Sequence, residues 1–231
     1  MRTKTLLLLV LSTFSGLNAF AAPLPPEFTA TYDVTKGFFK IGEAKRSLKK
    51  QDDKWVYTSV SKTTGFIGSI LSTKIIQSTT FEMKDGLIRP LKYAYNKNKT
   101  EHVVRQNYDW EKKQVFSQSG EKLHIYDIPD KVQDQSIYQL SLMLDVADGN
   151  RDLTYHVAEN VRLMNYQIKG AREEKIKSIF GKIKTVAVQI KAKRNKTTIW
   201  FAPKYHFMPI KIEFEEDGTT FLAKLTKLEG L

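Results

Sequence analysis

From Phe28 almost to its last residue, this chain alternates apolar and polar side chains with a period of two. Such a pattern lays one face of each segment on a core and leaves the other wet, so it specifies half-buried strands rather than amphipathic helices. Phe28, Ala30, Tyr32 and Val34 share one face, and Trp55, Tyr57 and Ser59 repeat it after the turn-like Gln51-Asp52-Asp53-Lys54. The stretch STTFEMKDGLIRPLKYAYNKNKTEHVVRQNYDWEKKQVFSQ reads as a strand meander. Asp85-Gly86 punctuates its first hairpin, Asn96 to Lys99 the second and Glu111-Lys112-Lys113 the third. The alternation resumes from Leu153 to Ile168, in KTVAVQIKAKRNKTTIWFAP, and in a closing hairpin at Asp217-Gly218. Spacing of this kind predicts about a dozen strands.

Two stretches break the period. Residues 64–74, TGFIGSILSTK, place apolar side chains at helical spacing and predict a short helical segment, weakened by Gly65 and Gly68. Residues 134–150, DQSIYQLSLMLDVADGN, predict a longer helix. Asp134 is its candidate N-cap, Ile137, Leu140, Leu144 and Ala147 form one face, Met143 and Val146 widen it, and Gly149 stops it in the left-handed conformation. One apolar helix between two groups of strands leads to a specific expectation. A single strongly curved antiparallel sheet, half-barrel-like, wraps its apolar face around that central helix. No Pro-, Gly- or Ser-rich linker divides residues 22–231, which are expected to form one domain, and no repeat of propeller or solenoid period occurs. The segment AREEKIKSIFGKIKTVAVQI fits helical and strand spacing equally, and periodicity leaves both readings open.

The N-terminus carries a different signal. Arg2 and Lys4 precede the apolar run Leu6–Leu11, and Ala19-Phe20-Ala21 fits the small-residue pattern of a secretory cleavage site. Residues 1–21 therefore read as a signal peptide. Ser12, Thr13, Ser15 and Asn18 interrupt the run well short of the roughly 20 apolar residues a membrane span needs. The chain has no cysteine, which removes both disulfides and the lipid attachment of a bacterial lipoprotein. An exported, periplasmic protein without a transmembrane segment is expected, with secretion beyond the envelope left open. Without Arg2 and Lys4 there are 35 basic and 25 acidic residues, a net charge of +10. A basic exported chain meets anionic envelope polymers and lipid headgroups, and nucleic acid is a poor partner because no nucleic-acid-binding motif occurs.

The residues that bear chemistry do not assemble into a catalytic motif. His102, His124, His156 and His206 lack metal-site spacing, so neither a metal nor a cofactor is expected. Gly65-Phe66-Ile67-Gly68-Ser69 lacks the nucleophile-elbow pattern. Glu173-Glu174 and Glu215-Glu216 are adjacent in sequence and on strands would face opposite ways. The aromatic residues on strands are more informative. Trp55, Tyr57, Tyr93, Tyr95 and Trp200 are the candidate wall of a cavity, with cross-strand packing in the core as the alternative. Lys191, Lys193, Arg194 and Lys196 form a basic cluster at a predicted hairpin, read either as a solvated turn or as a contact for an anionic headgroup or polymer.

Several local sequences are shared, in order, with an uncharacterised bacterial family, domain of unknown function 3108. They are Gly42-Glu43-Ala44, Asp85-Gly86-Leu87-Ile88-Arg89-Pro90, Asn107-Tyr108-Asp109-Trp110 and Val132-Gln133-Asp134-Gln135-Ser136. The series ends with Trp200, Pro203, Pro209-Ile210-Lys211-Ile212 and Asp217-Gly218. The chain resembles that family over nearly all of residues 22–231. The resemblance implies an exported β-rich fold, similar in shape to half-barrel carriers of the lipoprotein-localisation type. It also implies that Phe180-Gly181-Lys182 is a turn, making the ambiguous segment two strands. It supplies no site residues. The functional expectation is a non-catalytic periplasmic binding or carrier protein for an amphipathic or glycan envelope ligand. An enzyme of envelope polymer metabolism and a scaffold docking on another envelope protein are the alternatives, and peripheral membrane contact is compatible with all three. N-terminal sequencing of the exported protein should begin at Ala22; a sequence starting at Met1 would overturn the signal-peptide assignment.

Overall fold

The computed structural model describes residues 22–65, 68, 72–98, 103–192, 195–216 and 218–231. The expected signal peptide, residues 66–67 and 69–71 of the expected short helical segment, His102, and Lys193 and Arg194 of the basic cluster lie outside the described residues. Among those described, fifteen strands form one sheet. The first wing contains β1 (Phe28–Lys36), β2 (Phe39–Gln51), β3 (Lys54–Thr63), β4 (Lys74–Lys84), β5 (Leu87–Lys97), β6 (Val103–Asp109), β7 (Gln114–Ser119) and β8 (Lys122–Asp127). The short β9 (Gln133–Asp134) and the helix α1 (Tyr138–Ala147) follow. The second wing contains β10 (Leu153–Ala158), β11 (Leu163–Ser178), β12 (Gly181–Ala192), β13 (Asn195–Ala202), β14 (Met208–Glu216) and β15 (Thr219–Glu229).

The order across the sheet is β8 to β1, then β15 down to β9. Every neighbour pair is antiparallel except β9 with β10. The first and last strands therefore meet in the middle, while β8 and β9 form the two outer edges. Five residues, 128–132, connect those edges. Laid flat, fourteen strand spacings would separate the edges by about 67 Å, whereas a connection this short reaches about 20 Å. The sheet has to curl back on itself.

The edges meet through side chains rather than a ladder, so the sheet is not closed. Gln106 Nε2 donates to the carbonyl oxygens of Ala158 (3.4 Å) and Glu159 (2.9 Å), and Tyr126 Oη donates to Glu159 O (2.6 Å). Asn160 Nδ2 donates to Ser119 Oγ (3.2 Å), and Ser117 Oγ to Asn160 O. Deeper inside, Gln133 Nε2 donates to Ile88 O at 3.1 Å.

α1 fills the space enclosed. Ile137, Tyr138, Leu140, Leu142, Met143 and Val146 are buried in one core with Phe28, Tyr32, Leu48 and Phe81 of the first wing and Ile168, Val188, Ile199, Phe201 and Ile212 of the second. A smaller cluster of Tyr93, Tyr108, Val115, Ile128, Val132 and Ala158 sits beneath the junction of the edges.

The structure corrects the sequence reading in several details. There are fifteen strands rather than about a dozen, because β9 has two residues and β8, with Leu123 and Ile125 largely exposed, presents little apolar contrast. The helix is ten residues long, its N-cap position is Ile137, and Leu144 and Ala147 are only half-buried. Gly149 does end the helix, at φ +86°, with Asn150 N bonded to Asp145 O and Gly149 N to Val146 O. The ambiguous stretch forms β11 and β12, paired from Gln167↔Lys191 to Ser178↔Gly181. Leu140→Ala should cost about 2–5 kcal/mol in denaturant unfolding, as core leucines do. Leu144→Ala should cost clearly less; equal losses would contradict this orientation of the helix.

Candidate functional site

Antiparallel alternation brings the β1–β2, β3–β4, β12–β13 and β14–β15 connections to one end of the barrel. An open cavity of about 450 Å³ enters there, between the first turn of α1 and the inner sheet face. Val34, Ala44, Ile75, Ile212, Phe214 and Ala223 give it an apolar wall, while Tyr138 and Gln139 present the start of the helix. The rim explains one of the sequence motifs. A Cβ at Gly42 would stand 2.7 Å from the Lys62 carbonyl oxygen, so only glycine fits between β2 and β3. Glu43 turns outward to Lys62 (3.2 Å), and Ala44 is small enough to leave space inside.

Arg46 is the exceptional residue of this wall. It lies on the inward row of β2, between the buried Ala44 and Leu48. Its guanidinium carbon is 5.4 Å from the Tyr32 ring centroid, and its Nη1 is buried without a hydrogen-bond partner. No carboxylate pairs with it among the described residues. Burial pushes the phenols of Tyr32, Tyr57 and Tyr138 up, and the Arg46 charge pulls each part of the way back, as expected if the cation sits among them. Arg46 as a whole is half-buried, but a buried polar atom left unsatisfied is rare in native proteins and costs stability.

The helix start that borders the cavity is held by a buried charge. Asp134 accepts hydrogen bonds from the backbone N–H groups of Ser136 (2.8 Å) and Ile137 (2.9 Å) and from the Thr79 hydroxyl (2.9 and 3.0 Å). It thus secures the turn before α1, three residues ahead of the observed N-cap position, Ile137. Burial raises its carboxyl to about 6, despite the opposing pull of those donors.

The five aromatic residues expected to line a cavity do not converge. Tyr57 and Trp55 belong to the main core and Tyr93 and Tyr95 to the smaller cluster, so these four pack between strands. Trp200 lies on the opposite, outer face. Its neighbours Ile199 and Phe201 point inward, while its indole N–H donates to Glu174 Oε1 (2.6 Å) and Lys211 Nζ lies 3.9 Å from its ring centroid. That donation holds the Glu174 carboxyl below its ordinary value. None of the five borders the Arg46 cavity. Lys191 and Lys196 are exposed and directly opposed across β12 and β13, at the same end as the mouth. Among the described residues no three His, Asp or Glu side chains converge to hold a metal ion.

Sequence reasoning passed over Arg46. The signal lay in the parity of Ala44, Arg46 and Leu48, which puts an arginine on an otherwise apolar row.

The other shared motifs also meet in space. Trp110 Nε1 donates to Pro90 O at 2.7 Å, and Gln133 reaches Ile88, linking three segments far apart in sequence. A profile of the family described as "Protein of unknown function (DUF3108)" matches residues 28–226. The chain belongs to the DUF3108 family. No curated protein matches it. A crystal structure of a beta-barrel-like protein of domain of unknown function DUF1849 from Brucella abortus is similar, with a TM-score of 0.62 and 13% identity. The match covers 91% of this chain and 100% of that one, and it concerns the fold alone. In this DUF3108 chain Asp134 should make stability pH-dependent. Its folded-state pKa lies above the ordinary value, so its favourable contribution is complete below about pH 4 and is lost as pH rises through about 6, by at most about 3 kcal/mol. Unfolding free energies from pH 4 to 6 should show that component, and Asp134→Asn, which preserves the hydrogen-bonding shape, should remove it.

Proposed function

We propose that this protein is a non-catalytic envelope carrier that binds an amphipathic anion, with the headgroup on Arg46 and the apolar portion along the inner wall. One observation carries the reading: Arg46, one of whose guanidinium nitrogens is buried without a partner, lines an apolar, open cavity. An anionic headgroup would supply the missing acceptor, and the wall of Val34, Ile75, Ile212 and Phe214 would supply affinity through apolar area. A neutral glycan would satisfy neither requirement as well. The half-barrel form, a curved sheet around a central helix with a mouth at one end, suits the loading and release of such a ligand. Export to the periplasm after cleavage at Ala21 would place the carrier among envelope lipids.

The test is calorimetric titration with single-chain amphiphiles below their micellar concentration. A fatty acid and an alkyl phosphate should bind, and the matching fatty alcohol should bind at least about tenfold more weakly. Arg46→Met should lose about 10- to 100-fold in affinity for the anions, the range expected for a hydrogen bond to a charged group. The same substitution should leave the ligand-free protein about as stable, since it removes a buried guanidinium nitrogen that lacks an acceptor. Equal affinity for acid and alcohol, or an Arg46→Met variant that binds like the wild type, would sink the proposal.

A further inference from the structure

The hairpin between β1 and β2 carries Phe38 in its turn and Phe39 at the start of β2, with relative exposures of 103% and 77%. Single exposed apolar residues are ordinary, but turns are normally made of small and polar residues. Here two adjacent phenyl rings stand free at a projecting tip, beyond Gly37 at φ +57°. Lys36 and Lys40 flank them and are exposed. Lys40 is tied to Asp33, while the Lys36 ammonium has no carboxylate partner among the described residues and stands 5.9 Å from the Phe221 ring centroid.

We infer that this hairpin tip docks the protein on an anionic lipid bilayer, with Phe38 and Phe39 in the interfacial layer and the two lysines beside headgroup phosphates. The shape favours a bilayer over a folded partner. A narrow convex tip finds complementarity in a fluid surface, whereas a protein interface needs a broad packed patch. Charge points the same way, with residues 22–231 at a net +10 and lysines on either side of the rings. The position adds a third reason: Ile41 borders both the groove beneath the two phenylalanines and the Arg46 cavity, so a docked tip brings the mouth to the membrane. The inference extends the carrier reading, but the hairpin carries it independently.

Co-sedimentation of the chain from Ala22, which includes every described residue, tests it. The probes are vesicles of phosphatidylcholine alone and vesicles with about one part in three of phosphatidylglycerol. The wild type should sediment with the anionic vesicles and progressively less as salt rises. The double substitution Phe38→Ser with Phe39→Ser should weaken that binding at least about tenfold. Because both rings are in solvent, the variant should keep its circular dichroism and its affinity for monomeric amphiphile. Arg46→Met should sediment like the wild type, so failure of the cavity reading and failure of the docking reading are separable. A wild type that stays in the supernatant, binds neutral vesicles equally well, or is matched by the double serine variant would overturn the inference.

Discussion

The five-residue connection from β8 to β9 is the constraint on which the rest of the structure depends. It joins the outer edges of a fifteen-stranded sheet and forces them together, so the apolar face becomes an interior. Curling also manages the exposed edges that an open sheet would present. The seam is made of side chains, notably Gln106, Ser117, Tyr126 and Asn160, acting on the carbonyl groups that follow β10 and on each other. Such a seam needs less exact register than a ladder. It also leaves the chain free to run inward as α1, whose ten residues pack against both wings of the sheet.

α1 leaves an open cavity at the end where its first turn begins. There the inward row of β2 presents an arginine, and the enclosure that makes the core dry also makes that charge costly. Asp134, the one acid among the buried described residues, is engaged with Thr79 and the turn before the helix, so it fixes the start of α1 beside the cavity rather than pairing with Arg46. Asp134 thus secures the helix within the sheet, and the half-buried Arg46 lines the open cavity.

Most of the fold was legible because period two is an unambiguous signal where one face is dry. Asp85-Gly86 shows why its turns could be read: both residues adopt positive φ, at 53° and 74°, as a tight hairpin turn requires. The central helix was legible from its unbroken apolar stripe, although the stripe was centred wrongly and Leu144 was placed too deep. The candidate site was much less legible. Aromatic residues at alternating positions show that two rings share a face, but not which face lines free space. Trp200 makes the point, since an ionic cover of Glu174 and Lys211 buries it on the outside. Arg46 was hidden for the opposite reason. An arginine among the basic residues of β2 looks like part of a wet surface until strand parity assigns it to the core side.

The most direct measurement is native mass spectrometry of the protein isolated without detergent from its natural source. If a bound anion completes Arg46, the wild type carries an acidic amphiphile that organic extraction releases, and Arg46→Met isolated in the same way lacks it. A wild-type protein whose mass is that of the polypeptide alone, with nothing acidic in the extract, would contradict the assignment of the cavity.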